Sequence, residues 1–259
     1  MNLRSIILIL CLIALIIYIY QLLEHRSSIS IENKNKQIVS MFENDQIEFK
    51  QVDEKTLKQP IKKHQAFYDP YMIYPEFKNI DYDIIVQELE NYMMRDTGDW
   101  QDWPEYNLWN KNGDWKIIPI FSFGSITFKS QYFPKTLHMF KDLKVVNMGF
   151  SKFAPGTRLK MHKGWGNLSN NVLRCHYGID VPDKCYLYVI DPYGNNMMQQ
   201  ENKKWIVFDD SLYHSAENKS DRDRIVLIID IERPEYLHKG ISDIQDTEEL
   251  KSFIEAIKK

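Results

Sequence analysis

Disulfides cannot organise this chain. It has three cysteines in 259 residues, too few for a framework of bridges. Cys11 lies in an apolar run, which leaves Cys175 and Cys185 as the one pair that an oxidising compartment could join. Cys175 alternates with two polar residues, so it faces the opposite side of its strand from them, and both thiols are expected to be free and buried. An excess of one charge is lacking as well. Thirty-three Lys and Arg stand against 36 Asp and Glu, a formal net charge of −3, so no global field favours nucleic acid. Internal repeats and low-complexity tracts are absent, and the length suits one good-sized domain with flanking segments.

Charge is missing altogether from residues 5–23, and residues 6–19 are almost wholly aliphatic. That is close to the ~20 residues a helix needs to cross a bilayer. At roughly −0.3 to −0.6 kcal/mol per Ile or Leu, insertion is favourable, and Tyr18 and Tyr20 stand where an interfacial belt belongs. A cleaved signal peptide would be followed by a small-x-small site; Gln21, Leu22, Leu23, Glu24 and His25 offer none. Residues 1–23 are therefore expected to be an N-terminal membrane anchor. Its orientation is open, with Arg4 on one flank and Arg26, Lys34 and Lys36 on the other. Residues 24–66 are polar and charged and read as a stem with one short helix.

The globular domain is expected over residues 67–240, with its core at 145–234. Residues 82–94 carry Ile84, Ile85, Leu89, Tyr92 and Met93 at helical spacing. A turn signal at Lys111, Asn112, Gly113 and Asp114 precedes a strand at 115–121. Short apolar runs then recur at 145–150, 172–179, 185–190, 205–208 and 225–231, punctuated by turns such as Pro155-Gly156-Thr157 and Asp191-Pro192-Tyr193-Gly194. Such spacing indicates a mainly β domain, a sandwich or barrel. In the last segment, 241–259, Asp246 or Thr247 can cap a helix with Leu250, Phe253, Ile254 and Ile257 on one face.

The residues that carry chemistry lie in the core. His162 precedes Lys163 and Gly164; His214 follows a strand and an acidic turn, Asp209-Asp210. Arg224 opens the apolar run 224–229, and an arginine facing into a sheet core is costly unless it meets an anion. Its planar guanidinium suits a carboxylate. Arg174 and His176 are two apart on a strand and share a face, so they can line a pocket for a dicarboxylate. Taken singly, each of these residues fits a bland role: a structural histidine, a polar edge, or an internal salt bridge, for example to Asp230. Together they suggest a mononuclear iron site beside an acidic cosubstrate. Two histidines are too few for a typical zinc site.

In order and spacing this text resembles the aspartyl/asparaginyl β-hydroxylase family of Fe(II)- and 2-oxoglutarate-dependent oxygenases. The matching residues run from Phe150 through Gly156-Thr157, His162-Lys163-Gly164, Arg174-Cys175-His176, Phe208-Asp209-Asp210-Ser211, His214 and Arg224 to Ile231-Glu232-Arg233-Pro234. The segment 100–109 resembles the family's upstream region more loosely. The resemblance implies a double-stranded β-helix (a jelly-roll or cupin-like squashed barrel) with flanking helices. His162 and His214 then look like the iron ligands and Arg224 like the partner of the distal carboxylate of 2-oxoglutarate. Ser151, Arg174 and His176 stand at positions that contact the cosubstrate. Many such oxygenases carry a carboxylate two residues after the first histidine. Gly164 cannot ligate, and within this family a glycine there marks the peptide hydroxylases. Asp209 and Asp210 are expected to shape their turn, with orientation of His214 from outside the ligand set as a second role.

The activity implied is hydroxylation of a C–H bond, foremost the β-carbon of Asp or Asn in a protein. The alternatives are hydroxylation of a lipid acyl chain, as in the membrane-bound lipid A hydroxylases, and a catalytically silent ligand-binding barrel. The sequons at Asn167 and Asn218 would place the domain in a lumen if glycosylated, and that side of the membrane is the one favoured.

Overall fold

The computed structural model describes residues 3–95, 99–110 and 114–257. The chain divides into two compact units, Met1–Gln46 and Ile47–Lys259. The first is a single helix, Leu3–Glu43, where the stem was expected to hold only a short one. The side chains of residues 1–12, 14 and 26–31 lie outside the described set, and with them much of the expected anchor and Cys11. Among the described residues no helix is long and apolar enough to cross a membrane.

The second unit is mainly β. Its strands are β1 (Lys50–Gln51), β2 (Phe67–Tyr68), β3 (Gln101–Asp102), β4 (Trp115–Ser122), β5 (Ser125–Ile126), β6 (Val145–Phe153), β7 (Val172–Asp180), β8 (Cys185–Asp191), β9 (Gly194–Gln199), β10 (Trp205–Phe208), β11 (Tyr213–Asn218) and β12 (Arg224–Glu232). The larger sheet runs β2-β10-β7-β12-β6-β4-β3, with β5 on β4; the smaller runs β1-β9-β8-β11. Neighbours are antiparallel, apart from the parallel pair β1 and β9. Residues 157–162 extend the smaller sheet beyond β11: Leu159 N donates to Ala216 O at 2.9 Å and Asn218 N to Thr157 O at 2.9 Å.

The alternation of strand side chains decides what each face meets. On the outer face of the larger sheet, Leu173, Cys175, Tyr177, Leu227, Ile229 and Ile231 share a core with Ile85, Leu89 and Tyr92 of the helix Tyr82–Met93. Asp81 caps that helix by accepting from Asp83 N and Ile84 N. Its Glu88 in turn accepts from Lys135 N (2.9 Å) and Thr136 N (2.8 Å), closing the start of the helix Pro134–Met139. On the inner face, Trp115, Ile117, Phe153, Ile206 and Phe208 meet Leu187, Val189 and Ala216 of the smaller sheet. The sheets are thus the two walls of a flattened barrel. Because β12 is covered on both faces it reads as a near-continuous apolar run. Cys175 and Cys185 are free and buried.

The unit begins at Ile47, ahead of the boundary expected at Phe67, because β1 pairs with β9 and Ala66 N donates to Asp191 Oδ2 at 2.8 Å. β9 and β11 escape a search for apolar runs because their sequences are largely polar. The turn expected at residues 111–113 lies outside the described residues. Asn218, at the end of β11, is fully buried, with Nδ2 within hydrogen-bond distance of Phe153 O, Ala154 O and Arg222 O (3.2, 3.1 and 2.8 Å). One ion pair ties the end of β12 to the turn before β11: Arg233 Nη1 and Nη2 donate to Asp209 Oδ2 and Oδ1 at 2.9 and 2.7 Å, and Nη2 also reaches Val172 O at 3.1 Å. Replacing Arg233 by Met strands a buried carboxylate, so a loss of ~3–5 kcal/mol in urea unfolding is expected. A loss within error would show that the pair does not hold this corner.

Candidate active site

His162 and His214 face each other across the antiparallel pair that closes the smaller sheet. His162 N donates to His214 O at 3.0 Å and His214 N to His162 O at 2.8 Å. Directly opposed residues put their side chains on one face, and the two rings lie 4.3 Å apart between centroids. Each ring is fixed by its other edge. His162 Nδ1 is 2.8 Å from Lys160 O, and His214 Nδ1 is 2.9 Å from Leu212 O. A carbonyl can only accept, so each Nδ1 carries the proton and each Nε2 keeps its lone pair. Outer partners of this kind orient metal-binding histidines. Burial lowers both imidazoles, His162 to about 3 with His214 beside it adding to the effect, and His214 to about 4. Both are neutral, the state a metal needs.

Asp210 completes the group. Its Oδ1 lies 3.3 Å from His214 Nε2 and accepts from Arg174 Nη1 at 2.6 Å; its Oδ2 is buried without a hydrogen-bond partner. A Cβ placed on Gly164 would lie 1.9 Å from that Oδ2. Gly164 is therefore glycine because the Asp210 carboxylate occupies the space a side chain would need. A carboxylate from the turn before the second histidine thus fills the space where a side chain after the first would project. Burial raises Asp210 to about 6, against the lowering effect of Arg174. A carboxylate oxygen facing a bare imidazole nitrogen at this distance is unfavourable until a proton or a cation lies between them. Two imidazoles with free Nε2 atoms are donors of the kind that iron and other first-row divalent metals take. Among the described residues no group of three His, Cys, Asp or Glu is arranged to hold a metal ion.

The inner face of the larger sheet carries the other residues. Arg174 donates through Nε and Nη2 to Asp230 (2.7 and 3.0 Å) as well as to Asp210, so it is held in a carboxylate network on β7 and β12. The internal salt bridge to Asp230 that the sequence allowed is thus made by Arg174. Arg224 is 1% exposed, stacked over the Phe153 ring at 4.5 Å, and donates from Nε to Gln200 Oε1 at 2.9 Å. Its Nη1 and Nη2 are buried without partners, and burial lowers it to about 10. Gln200 Nε2 also meets His176 Nδ1 at 3.0 Å, and His176 Nε2 is buried and unpartnered. Ser151 accepts from Trp115 Nε1 at 3.1 Å. Arg224, His176 and Gln200 thus form one buried cluster with three unspent nitrogens. Gln200 escaped the sequence reading because it follows the polar strand β9. Asp209 and Asp210 are separated only in the structure, the first spent on Arg233 and the turn, the second facing the histidines.

With this geometry in view, the comparisons with known proteins fall into place. The chain matches the model of the aspartyl/asparaginyl beta-hydroxylase family over residues 79–234, more than half its length, and belongs to that family. It is 38% identical over 88 residues to an ornithine lipid ester-linked acyl 2-hydroxylase of Rhizobium tropici, covering 33% of this chain and 29% of that protein. It is 37% identical over 90 residues to aspartate beta-hydroxylase domain-containing protein 1 of Bos taurus, covering 34% and 23%. The chain thus spans under a third of the length of either relative. Among solved structures, a 2OG-Fe(II) oxygenase family oxidoreductase from Burkholderia pseudomallei superposes with a TM-score of 0.43 at 12% identity, over 62% of this chain and 82% of that one.

If the Asp210 carboxylate fills the space at position 164, Gly164→Ala must displace it. A loss of ~1–3 kcal/mol, as overpacking brings, is expected in thermal unfolding. Wild-type stability in this variant would show that the two positions do not compete.

Proposed function

We propose that the chain is an Fe(II)- and 2-oxoglutarate-dependent dioxygenase that hydroxylates a C–H bond. The observation that carries this reading is Arg224, a guanidinium buried in the barrel with both terminal nitrogens unpartnered. A buried cation without a counter-charge is costly, and a carboxylate is the group that satisfies a guanidinium fork. The distal carboxylate of 2-oxoglutarate would take Nη1 and Nη2, with His176 Nε2 as a further donor or acceptor and Gln200 holding both side chains in place. His162 and His214 would hold iron through Nε2. When bound, iron and 2-oxoglutarate supply the oxygen activation that turns C–H into C–OH, with succinate and carbon dioxide as co-products. Asp210 sits where it can accept a proton or orient water beside the histidines, and Arg174 fixes it there. The apolar inner walls keep bulk water from the reacting centre.

For the substrate, the family description and Gly164 support an Asp or Asn β-carbon in a protein. A lipid acyl chain is the second reading. It is favoured by the chemistry named for the Rhizobium relative and by an apolar cavity that reaches Ser151 and Arg174. The silent-barrel reading leaves the unspent nitrogens of Arg224 and His176 without a use. The membrane tether rests on the uncharged run at residues 5–23, and alkaline extraction of membranes from expressing cells tests it; the lumenal side rests on the sequons at Asn167 and Asn218.

Two outcomes are expected of the site. His162→Ala should abolish Fe(II)-dependent succinate release and weaken Fe(II) binding by at least about tenfold, as outer-shell losses already do; normal iron occupancy would remove its role. Arg224→Met should raise the 2-oxoglutarate requirement while leaving Fe(II) binding intact, measured by titration of each. Unchanged 2-oxoglutarate affinity would remove the assignment of Arg224.

A further inference from the structure

The helix Glu248–Ile257 lies beyond the family match, which ends at residue 234, yet it forms one wall of an apolar cavity of about 110 Å³. Leu250, Phe253, Ile254 and Ile257 face the inner side of the larger sheet across this space, where Ile117, Met148 and Ile228 supply the opposite wall. At its inner end stand Ser151 and Arg174, and Arg174 reaches Asp210, beside His214. The cavity therefore ends at Arg174, one ion pair away from the residue beside His214.

The polar groups on its wall are already engaged. Arg174 is bound to Asp230, Asn147 Nδ2 donates to Asp230 Oδ2 at 2.9 Å, Asn147 Oδ1 accepts from Phe123 N at 2.9 Å, and Ser151 takes the Trp115 indole. Ser122 is the exception. A carboxamide or carboxylate entering here would lose its water and meet almost no partner, whereas methylene groups would lose nothing. The helix is hung on a single polar hub. Thr247 Oγ1 donates to Glu105 Oε1 at 3.0 Å, and the same carboxylate accepts from Trp103 Nε1 (3.2 Å) and Trp165 Nε1 (3.3 Å). Trp103 stacks on Trp115 and Trp165, with centroids 4.7 and 5.8 Å away, and Phe253 packs on Trp103 at 6.1 Å.

We propose that this cavity seats an aliphatic chain of the substrate, and that the C-terminal helix, through Phe253 against the tryptophan layer, sets which chain fits. The reaction on that chain rests on the oxygenase reading above; the binding does not. Trp103, Trp115 and Trp165 line the cavity, so a brominated chain within it should quench their fluorescence. ω-Bromododecanoic acid is titrated into the full chain without added Fe(II) or 2-oxoglutarate. Saturable quenching is expected, weakened about tenfold in Phe253→Trp, a change of size that pockets of this kind resolve. Phe253→Ala should shift preference toward ω-bromohexadecanoic acid. Melting curves of both variants must match the wild type. Absence of saturable quenching, or quenching that neither Phe253 variant alters, overturns the proposal. So does displacement of the chain by an Asn-containing peptide. Quenching with succinate release on neither acyl nor peptide substrates removes the oxygenase reading alone; succinate release driven by a peptide, without quenching, removes this proposal alone.

Discussion

The Asp210 carboxylate and the empty volume at Gly164 are two sides of one constraint. Because the carboxylate enters that volume, position 164 can carry no side chain. Because Arg174 grips its other oxygen, it cannot swing away. Arg174 is in turn held by Asp230, and Asp230 by Asn147, so a run of hydrogen-bonded charges on β6, β7 and β12 ends beside the histidines. A network of this kind is rigid only when every member is satisfied. Here all members are, apart from Asp210 Oδ2, the oxygen that points at Gly164. The geometry of the histidine pair thus depends on ion pairs in the opposite wall of the barrel.

Two arginines in that wall show opposite solutions to burial. Arg174 is neutralised twice over and is structural in the sense that its charge is fully spent. Arg224 keeps only the Gln200 oxygen and the Phe153 ring. The fold carries the cost of that second cation unless something anionic joins it, and proteins commonly accept such losses at functional sites. Whatever binds there also stabilises the folded state by mass action.

Much of this was legible in the sequence. Apolar runs located β6, β7, β8, β10 and β12, and period-two alternation separated Arg174 and His176 from Cys175. The resemblance brought His162 and His214 together across 52 positions. What could not be read has physical causes. β9 and β11 are polar because one sits toward the sheet edge and the other carries site residues, so hydrophobicity does not mark them. Asp209 and Asp210 are chemically identical neighbours, and only the turn decides which meets Arg233 and which meets His214. Gln200 and Glu105 are single polar residues whose weight comes from partners distant in sequence, Arg224 and Thr247. The helix near the C-terminus was expected from its cap and apolar face, but nothing in its own residues says that the surface it covers is a cavity.

Asn218 carries a consequence for how this protein can be handled by a cell. Its amide is enclosed by the carbonyls of Phe153, Ala154 and Arg222, and its oxygen holds Ser220. A sugar on that nitrogen would have to be attached before the barrel closes, and would then prevent it from closing. Asn167, on the surface, is under no such conflict. Of two sequons that look equivalent in the chain, one is a tolerated mark of the compartment and the other is a folding hazard in any compartment that glycosylates.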